Sequence, residues 1–318
     1  MLPGLVYNTC YNRLMPSIAL ATLIFGTTFV VIRAVLIHAG PWTLLADRYL
    51  LAALVGVGAL AVLGLRPTRE EWRWGIILGV IAAAMQATNT IGLETTTASK
   101  SAFICAGYIA LVPLVALVAM RHVPRSMELA AAAVALLGTG LLTVRWPLER
   151  IVSGDLWTLG TALFAALSIV ATKMAIRRSR SLVLVVIQAA VVALVCAAGA
   201  GLSGEGFGMH GLAPWLGTLY LGTVASLGAF ALAAHGQRVT SPVAASVVFG
   251  MEPLVATLLG AVALGERMGA AQAAGAALML GAGWIVAWDG RRRRAAEALR
   301  VTGRDNRRRE ARVGASLS

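Results

Sequence analysis

Charge is scarce in this chain. Asp, Glu, Lys and Arg make up 13% of its 318 residues, against about 25% in soluble domains. With 58% hydrophobic residues and a mean hydropathy of +0.80, it lacks the polar surface of a soluble domain and reads as an integral membrane protein. Cysteine is almost missing as well. Cys10, Cys105 and Cys196 are scattered and odd in number, which gives neither a disulfide framework nor a metal or redox spacing and leaves them as small apolar fillers. The four histidines, His38, His122, His210 and His235, form no metal-ligand pattern. No Gly-rich phosphate loop of the Walker type occurs, so direct drive by ATP is not expected, and no cofactor is expected. The first apolar run is not preceded by a basic region or followed by a clear cleavage site, so it reads as a retained span.

What is present is apolar length. A membrane-spanning helix needs about 20 apolar residues, because it rises about 1.5 Å per residue through a hydrocarbon core about 30 Å thick. Ten such spans fit, at about 15–32, 41–64, 74–93, 98–120, 127–144, 156–174, 182–202, 213–234, 242–264 and 270–288. The fold expected is an all-α membrane protein. Its parts are a leader at 1–14, a five-helix repeat at 15–144, a linker at 145–155, a second repeat at 156–289 and a basic, disordered tail at 290–318. No segment is left for a soluble catalytic domain, and no enzyme is expected.

Charge and tryptophan orient this map. Arg66, Arg69 and Arg73, then Arg121 and Arg125, then Lys173, Arg177, Arg178 and Arg180, and the arginines after residue 290 fall on one side. Only Arg33, Lys100, Arg145, Arg150 and Arg267 fall on the other. The positive-inside rule puts both termini in the cytoplasm, and the location expected is the cell (inner) membrane. All eight tryptophans, Trp42, Trp72, Trp74, Trp146, Trp157, Trp215, Trp284 and Trp288, lie near span ends, where the membrane–water interface favours them. Five spans per half is an odd number, so the second copy enters the bilayer upside down. Inverted repeats of this kind suit alternating access to a midplane site.

Several residues stand out as polar or helix-breaking inside apolar runs. Glu252 lies near the middle of span 9, directly before Pro253, where insertion of a charged residue costs about 2.5–3.5 kcal/mol. It reads either as a proton-coupling or cation-recognising carboxylate, or as a neutral acid bonded to backbone groups that Pro253 frees. Pro113 and Pro253 are taken as matching breaks in spans 4 and 9, serving as hinge or cavity elements or as fixed kinks. Gln86 and Asn89 share one face of span 3 and are candidates for substrate contact or for helix–helix hydrogen bonds. Thr27 and Thr28 are weaker candidates in span 1. Asp47 and Arg48, in span 2, point about 100° apart and read as ion-pair residues or as a gate. Lys100 and Glu266, near span ends, need only be interface anchors.

These residues sit in ordered motifs. Met251-Glu252-Pro253, Leu264-Gly265-Glu266 and a Gly-rich last span follow a start at Pro242–Ala245. Phe25-Gly26-Thr27-Thr28-Phe29, Arg48, Gly92-Leu93, Thr97-Ala98-Ser99, Ala102-Phe103 and Val112-Pro113 mark the first half. In order, spacing and duplication the chain resembles the EamA-type transporters of the drug/metabolite transporter superfamily, over about residues 15–289. The first half departs from the second in having no acid before Pro113 and none matching Glu266. The resemblance implies a ten-helix secondary transporter, an exporter of metabolites, amino acids or drugs, with a cavity lined mainly by spans 1, 3, 4, 6, 8 and 9. Proton coupling and facilitated exchange both remain open, and the mostly uncharged cavity candidates suggest a zwitterionic or neutral cargo. A lipid-modifying membrane enzyme and a non-transporting scaffold are the alternatives. Scattered acids disfavour the first, and two opposed copies disfavour the second. The partners expected are a small-molecule substrate and the bilayer, with anionic lipid at the arginine tail. No nucleic acid is expected, because the tail has neither a folded reader nor aromatic platforms.

Overall fold

A computed structural model describes the backbone of residues 3–143, 150–206, 208, 211–264 and 269–316. Arg145, Trp146 and Pro147 of the linker, and Glu266 and Arg267 of the last turn, lie outside the described residues. Among the described residues ten helical segments are long and apolar enough to cross a membrane. Spans 1 to 3 are α1 (Pro3–Leu36), α2 (Pro41–Val62) and α3 (Arg69–Thr95). Span 4 is built from α4 (Ala98–Cys105) and α5 (Tyr108–Met120). Spans 5 to 7 are α6 (Ser126–Thr143), α7 (Ser153–Ala175) and α8 (Ser181–Ser203). Span 8 is α9 (Leu212–Tyr220), a π-helical segment (Leu221–Ala229) and α10 (Phe230–Gly236). Span 9 is α11 (Pro242–Phe249) and α12 (Glu252–Leu264), and span 10 opens α13 (Ala270–Ser316). Ten crossings bring the chain back to the face from which α1 starts. We call it the terminal face, and the opposite one the far face.

Local chemistry sets the ends of these helices. Pro41 follows Gly40 at the start of α2, and Pro242 follows Ser241 at the start of α11. Proline suits the first helical turn because its missing N–H would have no partner there. Thr68 and Glu71 close a capping box on α3, each accepting a backbone N–H that the helix itself leaves open. Thr97 caps α4 and Ser241 caps α11, each through its side-chain oxygen.

Spans 4 and 9 are broken at equivalent places, but not by their prolines. Counting on from the caps, Thr97 pairs with Ser241, Tyr108 with Glu252 and Ile109 with Pro253, so Pro113 has Thr257 as its counterpart. The two prolines therefore do not occupy matching positions, contrary to the expectation from sequence. Pro253 sits in the first turn of α12, where it starts a helix. Pro113 is buried inside α5, where it leaves the Ile109 carbonyl without its usual helical partner. The break itself lies upstream, at Ala106–Gly107. The broken spans cross where they break: a Cβ on Gly250 would stand 2.5 Å from Ile109 Cδ1.

Packing joins the two repeats throughout. Ile109, Val112, Ala131, Ala166 and Val247 share one core, drawn from spans 4, 5, 6 and 9. Tyr49, Ala82, Val186 and Val192 share another, from spans 2, 3 and 7. The outer surface stays apolar: Val118 is 83% exposed and Leu202 91%. Such residues suit contact with lipid tails, and small residues between helices allow the close approach that packing in lipid requires.

The tail differs from expectation. Instead of disorder after residue 290, α13 continues to Ser316. Lack of apolar periodicity suggested an unstructured segment, but Ala295, Ala296, Glu297, Leu299 and the arginines are strong helix formers, and they extend a helix already nucleated by span 10.

A charged and aromatic cavity at the centre of the bundle

The broken spans and the helices around them enclose a cavity of about 150 Å³. One ordered water needs about 10–15 Å³ on the same measure, so the space admits several waters or a small solute. Spans 1, 3, 4, 6, 8 and 9 line it, and the structure adds span 2 through Arg48 and span 7 through Leu184, Val185 and Gln188.

Glu252, the first residue of α12, faces this cavity. The Gly26 of Phe25-Gly26-Thr27-Thr28 allows span 1 to lie against it, because a Cβ there would stand 2.6 Å from Val255 Cβ and 3.1 Å from the Glu252 carbonyl. Phe25 forms an aromatic wall beside it, edge-on to Phe230 at 5.0 Å and to Phe249 at 6.2 Å between centroids. Tyr108, the register partner of Glu252, also lines the cavity.

Arg48 enters from span 2 and is only 3% exposed. Its Nε donates to Ser226 Oγ at 2.7 Å, and its guanidinium lies 5.1 Å from the Tyr49 ring centroid. Gly222, in the π-helical segment of span 8, lets that segment lie close against span 2, since a Cβ there would meet the Arg48 carbonyl at 2.7 Å. π-helical segments are frequent at functional sites. Span 2 and span 7 start after Gly40 and Arg180, and counting from those caps pairs Arg48 with Gln188, itself 5% exposed and in the cavity wall.

The remaining sequence candidates divide. Thr28, Gln86 and Asn89 line the cavity. Gln86 Nε2 donates to Tyr49 Oη, whereas Asn89 Oδ1 is buried without a hydrogen-bond partner. Thr27 does not line it; its hydroxyl shares a hydrogen bond with Tyr220 Oη and donates to the Ile24 carbonyl. Pro113 and Pro253 are buried in packing and are not in the cavity wall. Among the described residues neither Asp47 nor Arg48 forms an ion pair, so the ion-pair reading of the two is corrected. Asp47 instead keeps Oδ2 buried without a partner.

Several contributors were not singled out from sequence. Gln188 was detectable as a polar side chain inside the apolar run Leu182–Val192, and Gln237 closes span 8 with Oε1 buried and unpaired. Lys100 is more than an anchor: its Nζ lies 2.6 Å from Asp155 Oδ2, and Asp155 Oδ1 also accepts from Thr96 Oγ1 at 2.7 Å. This pair ties span 4 to span 6 at the far face, beside a seam that draws spans 3 and 6 together. Thr161 Oγ1 donates to Thr88 Oγ1 at 2.9 Å, and a Cβ on Gly154 would run into the Gly92 carbonyl. On the same two helices the cavity extends the other way, past Asn89 and Thr161 to Leu78 and Thr172 near the terminal face. At that face Glu71 accepts from Arg180 Nη2 at 2.7 Å. Glu128 accepts there from Ser241 Oγ at 2.6 Å and from Arg293 Nη2 at 3.2 Å.

A family model described as the EamA-like transporter family matches residues 14–144 and, a second time, residues 152–288. The chain belongs to the EamA-like transporter family. The two EamA matches fall on the two five-helix halves, and the chain is accordingly a multi-pass membrane protein of the drug/metabolite transporter superfamily. A solved structure known only as "Crystal structure of protein" is similar to this EamA chain with a TM-score of 0.71 and 21% identity, over 86% of this chain and 96% of that one. At that identity the likeness concerns the fold alone. No curated protein matches the chain.

Proposed function

We propose that this EamA-like protein is a secondary transporter that exports a small metabolite, amino acid or drug across the cell membrane by alternating access, with both termini cytoplasmic and Glu252 as the proton-coupling group. The observation that carries this reading is the cavity itself. It lies where two broken helices cross, it holds a carboxylate that no protein cation neutralises among the described residues, and interrupted helices in inverted repeats are the usual place for substrate and coupling ions. The closed seam of spans 3 and 6 at the far face, with the cavity reaching toward the terminal face, fits a conformation loaded from the cytoplasm. Among the described residues Glu71, Glu128, Asp155 and Glu205 each bond to another helix, a packing role that disfavours a lipid-modifying enzyme.

Counterflow in proteoliposomes, with a panel of amino acids, nucleosides and cationic drugs and with and without an imposed pH gradient, tests the reading. The expected result is uptake of one solute class that responds to the gradient. Lipid turnover without solute flux would replace transport with the enzyme reading.

A further inference from the structure

We propose that the substrate is a zwitterion, its carboxylate held by Arg48 and its ammonium by Glu252; this rests on the transporter reading above. The cavity wall carries one guanidinium and one carboxylate, contributed by different repeats. They do not pair with each other, and neither meets any other opposite charge among the described residues. A buried ion left without a partner costs several kcal/mol, roughly, even after the protein relaxes. Keeping two of opposite sign apart in one cavity suits a ligand that supplies both missing charges.

The details of each pole agree with this assignment. Arg48 gives Nε to Ser226, and its terminal nitrogens make no hydrogen bond to any described residue, so the planar fork that matches a carboxylate with two parallel hydrogen bonds stays open. Asn89 adds an unfilled acceptor, Oδ1, to the cavity that holds Glu252. An ammonium, which only donates, needs acceptors. Phe25, Phe230 and Phe249 add an apolar wall for a side chain. The counterparts of the two charged residues are Gln188 and Tyr108, so each charge occurs once in the cavity and not in duplicate. A simple amine would bring a second cation to the uncompensated Arg48, and a simple acid would bring a second anion to Glu252.

The test uses the purified full-length protein and three probes that share one ring: phenylalanine, phenethylamine and 3-phenylpropanoate, with leucine, isoamylamine and 4-methylpentanoate as an aliphatic set. Binding is read by isothermal titration and flux by counterflow. The expected result is that at least one zwitterion binds about tenfold or more tightly than its two analogues. Arg48→Gln should bring that zwitterion down to the amine while sparing the amine itself, and Glu252→Gln should bring it down to the acid. Arg48→Lys, which keeps the charge and loses the fork, should preserve the ranking at reduced affinity. The wild-type ranking stands by itself if a variant fails to fold. An amine or acid that binds as well as its zwitterion, an equal loss of all ligands in Arg48→Gln, or no zwitterion binding at all would overturn the proposal. Zwitterion binding without flux of any solute would instead leave the assignment of the poles intact and count against transport.

Discussion

The broken span of the first repeat and that of the second begin alike, with Thr97 and Ser241 each capping a short helix that stops before a second helix takes over. They part at the cavity, where Tyr108 stands in the first repeat and Glu252 in the second. The same holds two spans earlier in each repeat, with Arg48 in span 2 and Gln188 in span 7. At the bundle's two faces, by contrast, the repeats agree in chemistry as well. Glu71, in the first turn of span 3, accepts from the Arg180 backbone N–H at 3.0 Å at the start of span 7. Glu205, ahead of span 8, accepts from the Thr43 backbone N–H at 2.8 Å at the start of span 2. Each carboxylate thus meets the positive end of a helix from the opposite repeat. Pseudo-symmetry is kept where the repeats hold each other and given up where they meet the cavity. A strictly symmetric cavity would face two guanidinium groups, or two carboxylates, across a small space and repel itself.

The largest effect should come from the place where the first repeat lies flush on the second. Gly26→Leu puts a branched side chain where a Cβ already stands 2.6 Å from Val255. Over-packing of this kind costs about 1–3 kcal/mol, and loss of most of the monodisperse protein on size-exclusion chromatography is expected. A next effect tests the division of charge directly. Arg48→Gln should reduce substrate affinity about tenfold, as the loss of one charged contact does, and adding Gln188→Arg should restore part of it by placing the guanidinium at the equivalent position. Titration of the two variants reads this, and a double variant no better than the single one would deny the equivalence.

A smaller effect is expected at the far face. Asp155→Asn removes the partner of Lys100, and should raise labelling of a cysteine placed at Thr161 by a membrane-impermeant thiol reagent several-fold, about the effect of 1 kcal/mol. Labelling that stays unchanged would mean that the seam does not depend on this pair. The smallest effect belongs to Thr161→Val, which removes the bond to Thr88. Interhelical hydrogen bonds of this kind contribute about 0.6–2 kcal/mol, so a drop of a few degrees in Tm is expected by thermal denaturation.

Much of this architecture is legible in the sequence, because a span is a matter of length and apolar content and needs no knowledge of contacts. Polar residues within those runs stood out for the same reason: Thr28, Gln86, Asn89 and Glu252 line the cavity, and so does Arg48, which the sequence offered only as an ion-pair or gate residue. Their neighbours Thr27 and Asp47 do not, since a helix turns about 100° between adjacent residues and sequence alone does not say which of two adjacent polar residues faces inward. The prolines were misleading because a missing hydrogen bond marks where a helix is weakened, whereas the position of the break follows from the crossing of Gly250 against Ile109. Tyr108 became visible only once the helix caps set the register between repeats, and the same register is what pairs Gln188, a polar residue legible within its apolar run, with Arg48. The bond from Lys100 to Asp155 depends on two segments far apart in the chain, which no local pattern connects.

The division of labour between Tyr108 and Glu252 is tested most directly by counterflow under an imposed pH gradient, with wild type, Tyr108→Phe and Glu252→Gln side by side. Flux that responds to the gradient in wild type and in Tyr108→Phe, but runs indifferent to it in Glu252→Gln, is the expected result. Gradient-dependent flux that survives in Glu252→Gln would contradict it, and would take the carboxylate out of proton coupling.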